Sequence, residues 1–116
     1  MPQLRLALAQ VNPTVGDIAG NADLVARWAS HAAAQGAHVV LFPEMALTGY
    51  PIEDLALRRS FVEAARASTE RLARRLADDG LADTVVVVGT LDRDESAKEG
   101  LGVPRGAPQN LSLIHI

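Results

Sequence analysis

The chain has 116 residues, with 11 basic and 14 acidic side chains, a net charge of −3 and no cysteine. That length suits one compact domain, and the near-balance of charge argues against a nucleic-acid binder. Without thiols these residues hold no disulfide, thiolate metal site or cysteine nucleophile. With no basic-then-apolar leader from Met1 to Val11 and no run near the roughly 20 apolar residues of a membrane span, a cytoplasmic, membrane-free protein is expected.

Leu4 to Ala9 is a short apolar run with one polar interruption and predicts a strand. Gln10 to Thr14 break it, and Gly16-Asp17 extends the turn. From Asn21, which is positioned to cap a helix, Leu24, Val25, Trp28, Ala29, Ala32 and Ala33 recur at helical spacing on one face. Gly36 suits the left-handed end of that helix. His38 to Phe42 predicts a strand covered on both faces, ended by Pro43. Glu44 to Leu57 predicts a loop leading into a short helix, with Glu53 and Asp54 favouring the helix start through its dipole.

Ser60-Phe61-Val62-Glu63 has the pattern of a capping box and opens a second helix. Val62, Ala65, Thr69, Leu72, Ala73 and Leu76 form its apolar face, and Asp78-Asp79-Gly80 stops it. Its arginines interleave with acids, as on a solvated face. Thr84 to Leu91 predicts a third buried strand, Asp92 to Pro108 an exposed loop or hairpin, and Leu111 to Ile116 a fourth strand. Aromatics are only 3% of the chain, so Ala, Val and Leu must fill the core. Strand, helix, strand, loop, helix, strand is the order of an α/β layered sheet. The last apolar strand, with no cover after it, gives the impression of a chain cut short.

Glu44 is the first charged residue beyond a buried strand. Ligands of α/β sheets gather past the carboxyl ends of strands, so this is a favoured place for a reacting group. Flanked by Phe42, Pro43 and Met45, the carboxylate is expected to be partly desolvated and suited to proton transfer. The plainer reading is an exposed loop glutamate. His31, His38 and His115 share no metal-ligand spacing, so no metal is expected. Gly100-Leu101-Gly102 lacks the setting of a dinucleotide fingerprint. Asp17 reads as a turn residue.

The string Phe42-Pro43-Glu44-Met45-Ala46-Leu47-Thr48-Gly49-Tyr50-Pro51-Ile52-Glu53-Asp54-Leu55 resembles the first catalytic motif of the nitrilase superfamily, and its second half resembles the glutaminase domain of glutamine-dependent NAD synthetases. Leu6 to Asn12, Val15 to Asn21, Val88-Gly89-Thr90 and Pro108-Gln109-Asn110 are similar to further segments of that family. The resemblance implies a nitrilase-like α-β-β-α sandwich, of which this chain supplies the N-terminal half only. Residues 1–110 belong to the hydrolase domain, and 111–116, which fit the pattern poorly, to a divergent or foreign tail. It implies that Glu44 is the general base of a Glu-Lys-Cys triad and that Tyr50 lines the glutamine pocket. Tyr50's ring packed under the Gly49-Pro51 turn is the alternative.

The only lysine, Lys98, does not match the family's catalytic lysine, and the cysteine is absent, so this piece is expected to be inactive alone. The resemblance further implies glutamine as substrate and a synthetase domain, outside this chain, that uses ATP and magnesium to amidate nicotinate adenine dinucleotide. The parent is expected to be a homo-oligomer. No cofactor is expected in these residues. The competing readings are another nitrilase-superfamily amidase or carbamoylase, and a non-catalytic α/β interaction domain.

Overall fold

In a computed structural model, residues 2–94 and 107–115 are described. Strand β1 (Leu6–Leu8), helix α1 (Ile18–Ala34), strand β2 (Val39–Leu41), a short 3-10 helix (Glu53–Leu57), helix α2 (Arg59–Asp78), strand β3 (Val85–Asp94) and strand β4 (Ala107–His115) follow in that order. They form one four-stranded sheet in the order β1-β2-β3-β4. The first two pairings are parallel and β3 with β4 is antiparallel. The expected α/β alternation is present, with helices as the crossovers that parallel strands require.

The register puts Ala7, Val40 and Val86 in one row, and Leu6, Val39 and Val85 in the adjacent row. Successive side chains of a strand point to opposite faces, so these rows look opposite ways. Val40 and Val86 are fully buried. Val86 and Val88 join Val25, Ala26 and Ala29 of α1 and Leu72 and Leu76 of α2 in one apolar cluster. Both helices therefore lie against one face. On the other, Leu6 and Leu8 are 53% and 68% exposed, and Val39 and Leu41 are half-buried. The expectation that β2 is covered on both faces holds for one face among the described residues.

Helix α1 begins before its predicted start. Asp17 is the N-cap, accepting from the Gly20 amide at 3.0 Å. Asn21, expected to be the cap, is instead a buried residue of the first turn. Trp28, expected on the buried face, is 40% exposed. Gly36 follows the helix at φ 88, as its position predicted.

The Ser60 capping box does not form. The cap of α2 is Arg58, with no side-chain hydrogen bond, and the helix is already under way at Ser60. Its predicted apolar face is nonetheless the packed one: Val62, Ala65, Leu72 and Leu76 are buried, and Thr69 and Ala73 half-buried.

Strand β3 runs three residues beyond Leu91 into the predicted loop, because backbone pairing with β4 carries it past the apolar stretch. Strand β4 begins at Ala107, four residues before the expected start. Lys98 and Gly100-Leu101-Gly102 lie outside the described residues.

No helix among the described residues is long and apolar enough to cross a membrane. Arg75 pairs with Asp23 between α2 and α1, and Arg66 Nε lies 3.1 Å from Asp92 Oδ1. All four side chains are substantially exposed, so the pairs add little to stability. The arginine-rich side of α2 is the solvated face expected.

Candidate active site

The parallel ladder continues one residue past β2, where the Phe42 amide donates to Val87 O at 3.0 Å. The chain then turns sharply. Met45 takes the left-handed conformation at φ 52, costly for a residue with a Cβ and typical of positions that surrounding structure over-determines. Gly49 N–H donates to Met45 O at 2.8 Å and closes the turn. Although the sequence here looks like a mixed loop, Met45, Ala46, Leu47 and Thr48 are at most 6% exposed.

Three contacts lock this turn in place. From below, Gly89 of β3 lies so close that a Cβ there would sit 2.3 Å from Met45 N and 2.9 Å from Pro43 O. Leu47 N–H also donates to Gly89 O at 3.1 Å. From the side, the buried Asn21 amide donates from Nδ2 to Leu47 O at 3.0 Å and to Thr14 O at 2.8 Å, while its Oδ1 accepts from Thr14 N at 2.8 Å. Finally, Gly16 N–H donates to Thr48 O at 2.9 Å. At Gly49 (φ 83) a Cβ would fall 2.5 Å from Val15 Cα, so the β1–α1 loop packs directly on the backbone. Every buried polar group of Asn21 is matched, as burial requires.

On this rigid turn stand the two residues singled out from the sequence. Glu44 is three positions past the end of β2, at the carboxyl tips of the parallel strands. Its side chain is exposed rather than partly desolvated, because the flanking Phe42 and Met45 turn away into apolar clusters beneath it. Asn110 of β4 donates from Nδ2 to Glu44 Oε1. Tyr50, at the far end of the turn, is 66% exposed. Its ring is thus not buried under the Gly49-Pro51 turn. Glu53 and Asp54 open the 3-10 helix, in agreement with the expected helix start.

The remaining sequence features stay outside this site. His38 Nδ1 accepts from the Arg5 amide at 2.9 Å and ties β1 to β2. His31 meets Trp28 edge-on at 5.3 Å and Gln35 Nε2 at 3.0 Å. Among the described residues, no group of three or more His, Cys, Asp or Glu could hold a metal ion. A groove of about 470 Å³ runs along β1 and α1, lined by Arg5, Leu8, Trp28 and Gln35, away from the Glu44 turn. Sequence reading missed Asn21 and Asn110 as contributors to the site. A buried asparagine 26 residues before its carbonyl partner, or an exposed one 66 residues beyond its carboxylate partner, leaves no local signal.

A mixed sheet covered by helices on one face, with an exposed carboxylate on a buried turn at the tips of its parallel strands, places a charged group where α/β proteins bind ligands. The chain belongs to the carbon-nitrogen hydrolase family, which it matches over residues 5–101. It is 38% identical over 103 residues to a glutamine-dependent NAD(+) synthetase of Thermotoga maritima, covering 89% of this chain and 17% of that protein. In structure it resembles the glutamine-dependent NAD+ synthetase of Acinetobacter baumannii, with TM-score 0.74 and 28% identity over 96% of this chain and 18% of that one. It also resembles an amidase from Nesterenkonia sp., with TM-score 0.66 and 30% identity over 76% of this chain and 32% of the amidase. The chain thus spans about a sixth of the length of the synthetases it matches.

Proposed function

We propose that this chain is the front part of the glutaminase domain of a glutamine-dependent NAD synthetase, with Glu44 as its general base. The observation that carries the reading is the placement of Glu44. Its carboxylate is accessible and its turn is held by β3, Asn21 and the β1–α1 loop, at the end of a sheet where α/β proteins bind ligands. A proton-transfer group needs that combination of fixed position and open approach. Likeness to synthetases over 89% and 96% of the chain favours glutamine over a simple amide as the substrate.

On this reading Glu44 takes the proton from a cysteine thiol supplied by sequence outside this chain. Free thiols are mostly protonated at neutral pH, so the base makes the nucleophile. The thiolate attacks the carboxamide carbon of glutamine, with a lysine stabilising the oxyanion. Ammonia leaves, and water hydrolyses the thioester to glutamate. Tyr50, exposed beside the turn, lines the pocket for glutamine. This chain has no cysteine and hydrolyses no glutamine by itself.

ATP and magnesium serve the synthetase domain, where the released ammonia amidates nicotinate adenine dinucleotide. In the full-length protein, Glu44→Gln should nearly abolish glutamine-driven NAD synthesis and leave ammonia-driven synthesis intact. Retained glutamine use would remove Glu44 from the mechanism.

A further inference from the structure

We infer that Asn110 is a positioning residue for Glu44, holding the carboxylate in the orientation from which it accepts the thiol proton. The inference rests on the reading of Glu44 as general base.

Asn110 lies on β4, opposite Leu91 of β3, while Gly89 lies opposite Ser112. The strand that supplies the side chain is therefore hydrogen-bonded to the strand that forms the floor of the Glu44 turn. Backbone contacts fix the Glu44 main chain from β3, and the Asn110 side chain reaches its carboxylate from the next strand. The two constraints are independent: one acts on the backbone and the other on the side-chain torsions. An exposed glutamate without the second would retain the rotamer freedom of a long, flexible side chain.

The chemistry of the pair fixes its direction. Toward an ionised carboxylate only the N–H group of an amide is a match, because the carboxylate can only accept. Asn110 Nδ2–H therefore occupies Oε1 and leaves Oε2 to receive the proton. An amide does not titrate between acid and alkaline pH, and it has no proton to exchange with the base it holds. It orients the general base without competing with it. A lysine or arginine there would instead pair with the carboxylate as a full charge.

The test uses the full-length protein and measures glutamine-driven and ammonia-driven NAD synthesis side by side. Asn110→Asp keeps the shape and removes the donor, and Asn110→Ala removes it without adding charge. Both should lower the glutamine-driven kcat on the order of 10- to 100-fold, the worth of one hydrogen bond to a charged group. KM for glutamine and the ammonia-driven rate should stay near wild type, and Asp should lose more than Ala. Wild-type glutamine turnover in either variant overturns the assignment, as does a parallel fall in the ammonia-driven rate, which marks a structural fault. A Glu44→Gln arm separates the two readings. If that variant still uses glutamine, the general-base reading fails and takes this one with it. If it is inactive while Asn110→Asp is not, only the Asn110 assignment fails.

Discussion

Replacing Gly89 by alanine tests whether the Glu44 turn is held by the sheet beneath it. The added Cβ would meet Met45 N at 2.3 Å, Pro43 O at 2.9 Å and Glu44 C at 3.0 Å, where ordinary contact begins at 3.4 Å. The turn must retreat by about 1 Å, and none of the three atoms belongs to a side chain that could swing aside. Nor can the turn lift freely, since Phe42 N–H and Leu47 N–H are bonded to β3 on either side of the clash. Overfilling of this kind costs roughly 1–3 kcal/mol in stability. A misplacement of about 1 Å in a catalytic group costs on the order of 100-fold in rate. In the full-length protein, Gly89→Ala should therefore lower glutamine-driven kcat by about two orders of magnitude. The ammonia-driven rate, which does not use this turn, should hold and reports that the rest is folded. Glutamine-driven turnover within a few-fold of wild type would refute the argument that Gly89 sets the position of Glu44.

Two further predictions separate functional from structural roles. Asp17→Ala removes the hydrogen bond to the Gly20 amide that caps α1 and should cost about 1 kcal/mol, whereas Ser60→Ala, which removes no cap from α2, should stay within about 0.5 kcal/mol. Thermal melts that rank the two the other way would contradict the observed caps. Tyr50→Ala should raise KM for glutamine while costing at most about 1 kcal/mol in stability, because a ring 66% exposed contributes little packing. A loss of about 3–5 kcal/mol, as for a buried aromatic, would return Tyr50 to a structural role.

What could be read from the sequence follows from the range of the interactions involved. Runs such as Thr84 to Leu91 declare a strand locally, and the spacing of Val62, Ala65, Leu72 and Leu76 declares a helix face, so both appear in the fold. The start of α1 is ambiguous in the sequence because Asp17 and Asn21 are both good caps by residue type. The choice was made by tertiary contacts that take the Asn21 side chain to Thr14 and Leu47. Likewise the residues Met45 to Thr48 look like an ordinary loop between Pro43 and Gly49, and only the packing of β3 and the β1–α1 loop around them makes them core.

That contrast explains why an accessible glutamate is the informative one. Desolvation was the expected route to a reactive Glu44, yet among the described residues its side chain is exposed while the four residues after it are buried. The fold constrains the backbone through Gly89, Gly49 and the left-handed Met45, and leaves the carboxylate, held at Oε1 by Asn110, accessible at the strand tips. A glutamate that merely decorated a loop would need none of these. A strained residue and two positions that admit no Cβ, gathered around one side chain, cost stability and make sense where that side chain must meet a partner at a fixed distance.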